Sequence, residues 1–190
     1  MNILVTGTAG FIGSHVAETF LARGDTVVGL DNFNDYYDPA RKRANAALLG
    51  SNPRFTLHEA DVRDAEAMER ICTAEKLDAV VHLAAMAGVR YSIEHAPLYV
   101  DVNVRGTVNL LEAARKTEIP HFVLASTSSV YGRTGRLPFR EDDQLGRPLA
   151  PYPATKIAAE VMGHSYHNLF GSPTPRCVSS QCTGHEGGQT

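Results

Sequence analysis

Three glycines spaced three residues apart, Gly7, Gly10 and Gly13, lie between a short apolar run and a helical pattern. Residues 2–5 are mostly aliphatic, and from Phe11 onward the apolar residues recur at helical spacing. Glycines in a strand-to-helix turn permit a sharp bend, let backbone N–H groups approach a pyrophosphate, and allow the helix to pack closely on the strand. The same spacing also occurs in purely structural turns, so the pattern alone leaves both interpretations open.

Strand-like and helical segments alternate along residues 1–170. The apolar, β-rich runs are residues 2–5, 26–30, 55–58, 78–83 and 121–125. After the first helical pattern, the others are residues 40–49, 65–73, 97–116 and 151–169. This alternation predicts an α/β fold with a Rossmann-like, doubly wound parallel sheet over residues 1–170. Residues 171–190 are polar and turn-rich without a helical period, so we predict an irregular tail there.

Composition and charge exclude several classes of partner. The 190 residues are 43% hydrophobic, enough for a substantial core, and carry a formal net charge of -3. That charge gives no reason to expect nucleic acid, and the cluster Arg41-Lys42-Arg43 is typical of a solvated helix face. No apolar run approaches the length of a membrane span, and no charged leader opens the chain. We therefore expect a cytoplasmic protein without a membrane partner.

The cysteines do not indicate a disulfide framework. Cys72, Cys177 and Cys182 are an odd number in a chain of ordinary size, which fits a reducing compartment. Cys177, Cys182 and His185 match no compact zinc site and lack a fourth ligand. We therefore expect no bound metal.

An acidic residue follows the second strand-like run. Asp31 lies about twenty residues beyond the glycine turn, where a dinucleotide-binding fold places the acid that accepts hydrogen bonds from the adenosine ribose. A carboxylate repels a 2'-phosphate, and the next residue is Asn32 rather than an arginine, so NAD is favoured over NADP. The alternative is that Asp31 only caps the end of the strand.

The end of the third strand-like run is a candidate adenine site. The carboxylate of Asp61 could accept from the exocyclic amine of adenine, and the backbone of Val62 could hold a ring nitrogen. Alternatively, Asp61 or Asp64 caps the helix that follows. Asp64 is better placed for capping, which leaves Asp61 for the adenine.

Small residues follow the fourth strand-like run, which is apolar almost throughout, as in strands buried on both faces. A flat cofactor could lie against the backbone here, and the alternative is packing against a neighbouring helix. The residues assigned to the cofactor are Leu83, Ala84, Ala85 and Ala87. In the long helical pattern that comes next, Asn103 is a polar residue among apolar neighbours, and a structural hydrogen bond is its simplest role.

Hydroxyl-bearing residues and a Tyr–Lys pair follow the fifth strand-like run. Residues 126–129 are Ser-Thr-Ser-Ser at the carboxyl end of a strand, where open α/β sheets bind ligands. Tyr152 and Lys156 are four residues apart in a helical pattern, so they share one helix face. A cation beside a phenol favours the phenolate and lowers its pKa toward the working range of a general base. Packing of an exposed aromatic against a lysine stem is the alternative, but the order of the other motifs favours catalysis.

Together these motifs resemble those of the extended short-chain dehydrogenases/reductases, and within that group the sugar-nucleotide epimerases and dehydratases. The shared motifs are Thr6-Gly7-Thr8-Ala9-Gly10-Phe11-Ile12-Gly13, Asp31-Asn32, Asp61-Val62, the Ser/Thr run before Val130-Tyr131-Gly132, and Tyr152 with Lys156. Residues 31–39 and 86–92 most resemble the UDP-glucuronate 4-epimerases. The likeness extends over about residues 1–170.

The resemblance implies NAD as the cofactor and a UDP-sugar as the substrate, with UDP-glucuronate and UDP-galacturonate favoured. The motif residues that it assigns to the cofactor pyrophosphate are Gly7, Gly10, Phe11, Ile12 and Gly13. In the implied reaction, a C4 epimerisation through a 4-keto sugar, Tyr152 takes the proton of the sugar 4-hydroxyl. Lys156 tunes Tyr152 and binds the nicotinamide ribose, and Thr127 hydrogen-bonds the reacting oxygen.

The resemblance also implies contacts with the sugar. Ser128 and Ser129 are nearby sugar contacts, and they stand where a dehydratase has an acid pair, which argues against dehydration. Arg90 is a candidate clamp for the sugar carboxylate, since a planar guanidinium suits bidentate binding. The alternative for Arg90 is a surface salt bridge.

Residues 171–190 depart from the pattern of this family. There, the helix that carries the lysine is followed by a further strand and a substrate domain, and neither is evident after Phe170. We expect a C-terminally truncated enzyme that binds NAD and epimerises weakly, and the alternative is an NAD-binding module or inactive remnant without turnover. The uncovered flank of the sheet predicts reduced stability or self-association, for example as a homodimer.

Overall fold

A computed structural model describes residues 1–133, 138–140, 143, 146–171 and 176–180. Its strands are β1 (Asn2–Thr6), β2 (Thr26–Asp31), β3 (Phe55–Glu59), β4 (Ala79–His82), β5 (His121–Thr127) and β6 (Arg176–Ser180). They form one parallel sheet in the order β3-β2-β1-β4-β5-β6. The sheet grows in one direction from β1 and in the other from β4, so the predicted doubly wound fold is confirmed.

The helices are α1 (Phe11–Arg23), α2 (Pro39–Gly50), α3 (Ala65–Glu75), α4 (Val89–Glu94), α5 (Ala96–Tyr99), α6 (Gly106–Lys116) and α7 (Pro151–Phe170). A π-helical turn, Val100–Arg105, joins α5 to α6, and a 3-10 turn, Ser128–Tyr131, follows β5. Asp64 caps α3, as predicted, by accepting a hydrogen bond of 3.0 Å from the backbone N–H of Ala67. In the described part of the chain, none of the helices combines the length and the hydropathy needed to cross a membrane.

Alternate residues of each strand face opposite sides of the sheet. Leu4 and Val28 pack with residues of α3, α6 and α7 on one side. Ile3 and Val27 pack with residues of α1 and α2 on the other. Because both faces are covered by helices, the strands are apolar along most of their length, which explains the nearly continuous apolar runs of the sequence.

The register places the carboxyl ends of the central strands side by side. Thr6, at the end of β1, lies between Leu30 of β2 and His82 of β4. The strand order reverses between β1 and β4, and a crevice forms outside the carboxyl ends of the strands at such a switch point. The candidate site is built around this crevice.

The end of the chain differs in part from the expectation. We predict an irregular tail over residues 171–190, but Arg176–Ser180 form β6 in parallel with β5, with Thr127 opposite Ser180. The prediction is wrong for this segment, because the backbone edge of β5 offers hydrogen-bond partners that a short polar sequence can use without any apolar periodicity. Residues 172–175 and 181–190 lie outside the described residues. The division of the chain at residue 170 stays a prediction.

Candidate active site

The glycine turn after β1 is too tight for a side chain at two of its positions. Gly7 has a φ of +69°, and a Cβ there would lie 2.9 Å from the backbone nitrogen of Ala84. A Cβ on Gly13 would lie 2.0 Å from the carbonyl oxygen of Gly7, so α1 packs directly on the turn. The steric roles predicted for Gly7 and Gly13 are therefore confirmed.

The first turn of α1 has no side-chain cap. Its N-cap residue is Gly10, which offers no side-chain acceptor. The backbone N–H groups at the helix start, including those of Phe11 and Ile12, therefore lack an intrahelical acceptor and could bind an anion. A pyrophosphate fits this helix start, and its binding by these residues stays a prediction.

A cleft of about 120 Å³ opens beside the turn, at the carboxyl ends of β1, β2 and β4. The predicted cofactor residues that line it are Gly7, Gly10, Asp31, Asn32, Val62, Leu83, Ala84 and Ala85. Residues without a predicted role also line it, among them Asn34, Tyr36, Tyr37 and Lys42. The other predicted residues, which lie outside this lining, are Phe11, Ile12, Gly13, Asp61, Ala87, Tyr152 and Lys156.

Asp31 is buried at the end of β2, where it lines the cleft and holds the glycine turn. Its carboxylate accepts hydrogen bonds from the backbone N–H groups of Ala9, at 3.1 Å, and Phe33, at 2.9 Å. The two oxygens have further acceptor positions, so a ribose hydroxyl could still donate to Asp31. Asp31 thus has a structural role and keeps capacity for the predicted ribose contact.

Lys42 is a cleft residue rather than part of a solvated face. The residue is 4% exposed, and its Nζ donates to the carbonyl oxygen of Asn34 at 3.0 Å and to the side-chain oxygen of Asn34 at 2.8 Å. The same Nζ lies 4.0 Å from a carboxylate oxygen of Asp31 and 4.8 Å from the ring centre of Tyr37. Burial lowers the pKa of Lys42, and the negative charge of Asp31 opposes that shift.

The interpretation of Arg41-Lys42-Arg43 as a solvated face is therefore wrong for Lys42. The buried residues of α2 are Lys42, Ala46 and Leu49. Their spacing is the signal that could have identified Lys42, because residues at i, i+4 and i+7 share one helix face.

Asp61 accepts hydrogen bonds from neighbouring residues, and its contact with adenine stays a prediction. The guanidinium of Arg63 donates two hydrogen bonds to it, of 2.9 and 2.7 Å, and the amide of Asn32 donates a third of 2.8 Å. Burial raises the pKa of Asp61, but these hydrogen bonds outweigh burial and lower the pKa to about 2. Asp61 therefore ties Asn32, which follows β2, to the segment that follows β3.

Tyr152 and Thr127 meet, as the catalytic prediction requires. Tyr152 lies in the first turn of α7, and its hydroxyl lies close enough to the Thr127 side chain, at the end of β5, for Thr127 to act on the pKa of the phenol. The ring of Tyr152 packs edge-on against Tyr99, with the ring centroids 6.1 Å apart. Burial raises the pKa of Tyr152, and the hydroxyl of Thr127 opposes the shift only in part. The predicted net lowering of this pKa by Lys156 is therefore wrong, because withdrawal of the phenol from water dominates.

Lys156 is buried one helical turn beyond Tyr152. Its charge acts on His82. Burial lowers the pKa of His82 to about 3, and the positive charge of Lys156 contributes to the same shift. The predicted placement of Tyr152 and Lys156 on one helix is confirmed. The contact of Lys156 with a nicotinamide ribose stays a prediction.

Two serines attach α7 to the rest of the site. The Oγ of Ser92, on α4, accepts a hydrogen bond of 3.1 Å from the backbone N–H of Tyr152. The Oγ of Ser126 donates to the carboxylate of Glu160, in the middle of α7. Ser126 therefore anchors the helix, whereas the next residue, Thr127, lies near the phenol of Tyr152.

The predicted sugar contacts lie around the same strand end. Ser128 and Ser129 are half-buried in the 3-10 turn, where the Oγ1 of Thr127 accepts a hydrogen bond of 3.3 Å from the backbone N–H of Ser129. Arg90 is exposed on α4, and no carboxylate in the described ranges forms a salt bridge with it. The alternative of a surface salt bridge is thus not found there, and the sugar contacts of these residues stay predictions.

Asn103 makes the structural hydrogen bonds that its position predicts. Its Oδ1 accepts from the backbone N–H of Met86 at 2.8 Å, and its Nδ2 donates to the carbonyl oxygen of Met86 at 3.0 Å. Asn103 lies in the π-helical turn and is buried. It therefore fixes the loop after β4 against the helix between α5 and α6.

No group of three or more His, Cys, Asp or Glu side chains within the described residues is arranged to hold a metal ion. Two of the zinc candidates, Cys182 and His185, lie outside the described residues.

Known proteins are similar to this chain in sequence and in fold. Residues 4–190 match the family described as GDP-mannose 4,6 dehydratase. The chain is 46% identical over 172 residues to UDP-glucuronate 4-epimerase 4 of Arabidopsis thaliana, a match that covers 90% of this chain and 39% of that protein. It is 43% identical over 174 residues to the probable UDP-glucuronate 4-epimerase of Rhizobium meliloti (strain 1021), covering 92% of this chain and 51% of that protein.

A solved structure shows the same fold. The UDP-glucuronic acid 4-epimerase from Bacillus cereus, in complex with UDP-glucuronic acid and NAD, superposes with a TM-score of 0.82 at 37% identity, covering 94% of this chain and 55% of that one. The chain spans about half the length, or less, of these relatives. The resemblance inferred from the motifs is confirmed. Since the match runs through the glycine turn, Thr127 and the helix of Tyr152, the chain belongs to the GDP-mannose 4,6 dehydratase family.

Proposed function

We propose that this protein binds NAD in the cleft beside the glycine turn and carries the catalytic residues for C4 epimerisation of a UDP-sugar, with UDP-glucuronate and UDP-galacturonate as the favoured pair. The neighbouring hydroxyls of Tyr152 and Thr127 carry the proposal, because they place a phenol and an alcohol together at the carboxyl edge of the sheet, the edge at which the cleft also lies. The similarity to UDP-glucuronate 4-epimerases, one of them solved with NAD and UDP-glucuronic acid, supports it.

In the proposed reaction, the phenolate oxygen of Tyr152 accepts the proton of the sugar 4-hydroxyl, and Thr127 hydrogen-bonds the same sugar oxygen. Bound NAD supplies a reversible hydride acceptor for C4, so the reaction has no net oxidation. The resulting 4-keto sugar turns its other face toward the site before the hydride returns. Tyr152 then gives the proton back to the oxygen, which yields the C4 epimer.

Two cationic residues have distinct proposed roles. We assign Lys156, which is buried one helical turn beyond Tyr152, to the ribose next to the nicotinamide. We assign the exposed guanidinium of Arg90 to the sugar carboxylate. The 4-keto form of a uronate is a β-keto acid, so a clamp that holds the carboxylate out of alignment with the ketone opposes loss of carbon dioxide.

Epimerisation is favoured over dehydration by the residues after Thr127. Ser128 and Ser129 stand where the resemblance leads us to expect an acid pair in a dehydratase. Serines at these two positions cannot serve as the acid that protonates a leaving hydroxyl. The alternative function is that of an NAD-binding module without turnover.

Calorimetric titration with NAD, combined with proton NMR of UDP-glucuronate incubated with the NAD-loaded chain, tests the proposal. We expect NAD to bind and conversion to be slow, because binding energy from remote parts of a substrate orients its reacting carbon. Tyr152→Phe should abolish conversion and preserve NAD binding. Tyr166→Phe, a matched change on α7 whose hydroxyl bonds to Glu112, should preserve both.

The outcomes separate the two functions. Absence of NAD binding would overturn the cofactor assignment. NAD binding without any conversion would favour the module. Conversion that survives in Tyr152→Phe would exclude Tyr152 as the base.

A further inference from the structure

His82 is a buried titratable residue that the proposed reaction does not use. It ends β4 and is 1% exposed. Its Nδ1 lies 2.7 Å from the Oγ1 of Thr6 on β1, and its Nε2 lies 3.0 Å from the Oγ1 of Thr107 on α6. The ring packs edge-on against Phe122, with the ring centroids 6.3 Å apart. Both ring nitrogens are therefore partnered and the ring plane is fixed by packing.

The neighbouring hydroxyls allow one arrangement of protons. The Oγ1 of Thr107 donates its proton to the carbonyl oxygen of Asn103 at 2.6 Å, so it can only accept from Nε2. The Oγ1 of Thr6 already accepts from two backbone N–H groups and therefore donates its proton to Nδ1. His82 is thus a neutral imidazole that carries its proton on Nε2.

One arm of this network holds the wall of the cleft. The two N–H groups that Thr6 accepts are those of Leu83, at 3.2 Å, and Ala84, at 3.1 Å, and both residues line the cleft. Ala84 is also the residue that a Cβ on Gly7 would meet. The imidazole therefore orients the hydroxyl that sets the distance between the end of β4 and the glycine turn.

The other arm reaches the catalytic helix. Thr107 donates to the backbone of Asn103, whose side-chain Nδ2 donates to the Oγ1 of Thr155 at 3.1 Å. Thr155 in turn donates to the carbonyl oxygen of Tyr152 at 2.8 Å. Every side chain of this arm is buried, so water does not compete for its hydrogen bonds.

We propose that His82 is a positioning residue for the reaction at Tyr152, because its Nε2-protonated imidazole couples the cleft wall, through Thr6, to the start of α7, through Thr107 and Asn103. The purpose of this coupling rests on the proposed function, whereas the coupling itself can be measured without turnover. If His82 only filled the core, the environment of Tyr152 would change when packing is loosened. It would not change when a single hydrogen bond of the network is removed.

The first experiment follows the phenol of Tyr152 by NMR in protein labelled with carbon-13 at the tyrosine Cζ position, with the resonance assigned by Tyr152→Phe. Thr107→Val removes both the acceptor for Nε2 and the donor to Asn103, while Thr107→Ser retains them. We expect Thr107→Val to shift the Tyr152 resonance and Thr107→Ser to leave it in place. His82→Asn also breaks the link to Thr107 and should shift the resonance, and Thr107→Val should add nothing in the His82→Asn background, because that link is already lost.

Cys72→Ala, a buried change in α3 outside the network, controls for a general loss of packing. It should leave the Tyr152 resonance unchanged. An unshifted resonance in folded Thr107→Val protein overturns the proposal, even where His82→Asn fails to fold. An equal shift in Cys72→Ala also overturns it, since loosened packing would then be responsible.

A second measurement connects the coupling to the reaction. In a single turnover, the reduction of bound NAD by UDP-glucuronate is followed by the absorbance of the reduced nicotinamide. We expect Thr107→Val to slow it about tenfold or more, with NAD affinity unchanged within about threefold, because misplacement of a catalytic group affects the rate more than binding. An unchanged rate overturns the positioning role. If wild-type protein binds NAD without reducing it, the proposed function fails, and the Tyr152 resonance alone decides the coupling.

Discussion

The hydroxyl of Ser92 accepts a hydrogen bond of 3.1 Å from the backbone N–H of Tyr152. Ser92 is buried on α4 and donates its own proton to the carbonyl oxygen of Val89 at 2.6 Å. The first N–H groups of a helix have no intrahelical acceptor, and the N-cap residue of α7, Ala150, has no polar side chain. Ser92 therefore caps α7 from another helix and fixes the helix of Arg90 to that of Tyr152.

Ser92→Ala should destabilise the protein through this cap. The variant leaves the N–H of Tyr152 without its acceptor, so we expect the free energy of unfolding to fall by about 1–2 kcal/mol. Urea unfolding followed by circular dichroism gives the value. Ser165→Ala is the control, because that exposed hydroxyl bonds only to the carbonyl oxygen of Val161 in its own helix. Equal losses in the two variants would contradict the role of Ser92 as a cap.

Gly13→Ala should disrupt the turn that begins the fold. The new Cβ would meet the carbonyl oxygen of Gly7 at 2.0 Å, and a backbone atom cannot move aside as a flexible side chain can. We expect a loss of about 3 kcal/mol or more in the free energy of unfolding, or no folded protein. Gly50→Ala, at the end of α2 with open space around it, should instead stabilise by up to about 1 kcal/mol. Thermal unfolding of both variants checks the contrast, and a stable Gly13→Ala protein would refute it.

Lys42→Met should show that the cleft lysine matters for stability. The variant removes two hydrogen bonds to Asn34 and the cation nearest to the buried carboxylate of Asp31. We expect the free energy of unfolding to fall by about 1–3 kcal/mol, measured by urea titration. Arg41→Met changes the adjacent, exposed residue and should alter it by less than about 0.5 kcal/mol. A loss in Lys42→Met as small as that in Arg41→Met would restore the solvated-face interpretation.

Asp61 should make stability depend on pH in an acid range. Burial alone would raise its pKa, but the hydrogen bonds from Arg63 and Asn32 lower it to about 2, compared with about 3.9 in an unfolded chain. The folded protein therefore binds this proton less readily, so the stabilisation is complete above about pH 5 and is lost as the pH falls toward 2. Because the Asp61 side chain is 25% exposed, we expect this carboxylate to contribute about 2 kcal/mol to the free energy of unfolding.

Asp61→Asn tests this pH dependence. The difference between wild-type and variant unfolding free energies should shrink between about pH 5 and about pH 2.5, because the wild-type carboxylate becomes protonated there. Urea titrations at several pH values measure that difference. A difference that stays constant over this range would show that the carboxylate of Asp61 has an ordinary pKa.

Much of the fold could be predicted because its signals are local. The strand before Gly7, the turn and α1 follow from apolar spacing and from the steric needs of glycine within a short stretch of sequence. β6 could not be predicted in this way. Its pairing partner, β5, is distant in sequence, and a strand that depends on an available edge need not show an apolar period of its own.

The residues of the site show the same difference between local signals and contacts with distant elements. Tyr152 and Lys156 could be recognised because their separation along one helix implies a shared face. Ser92 and His82 could not, since they act through partners on other elements. The partners of Asp61 could not be predicted either, because the sequence does not show that Arg63 and Asn32 donate to its carboxylate.

The proposed reaction should become faster as the pH rises, because Tyr152 must be deprotonated to act as a base. Burial raises the pKa of its phenol, so the single-turnover rate should rise by about tenfold per pH unit through the neutral range. Thr127→Val removes the hydroxyl that opposes this shift and should move the profile to higher pH, while Thr127→Ser should keep its midpoint. Stopped-flow measurement of NAD reduction by UDP-glucuronate gives these profiles. A pH-independent rate, or a Thr127→Val profile displaced to lower pH, would exclude Tyr152 as the base.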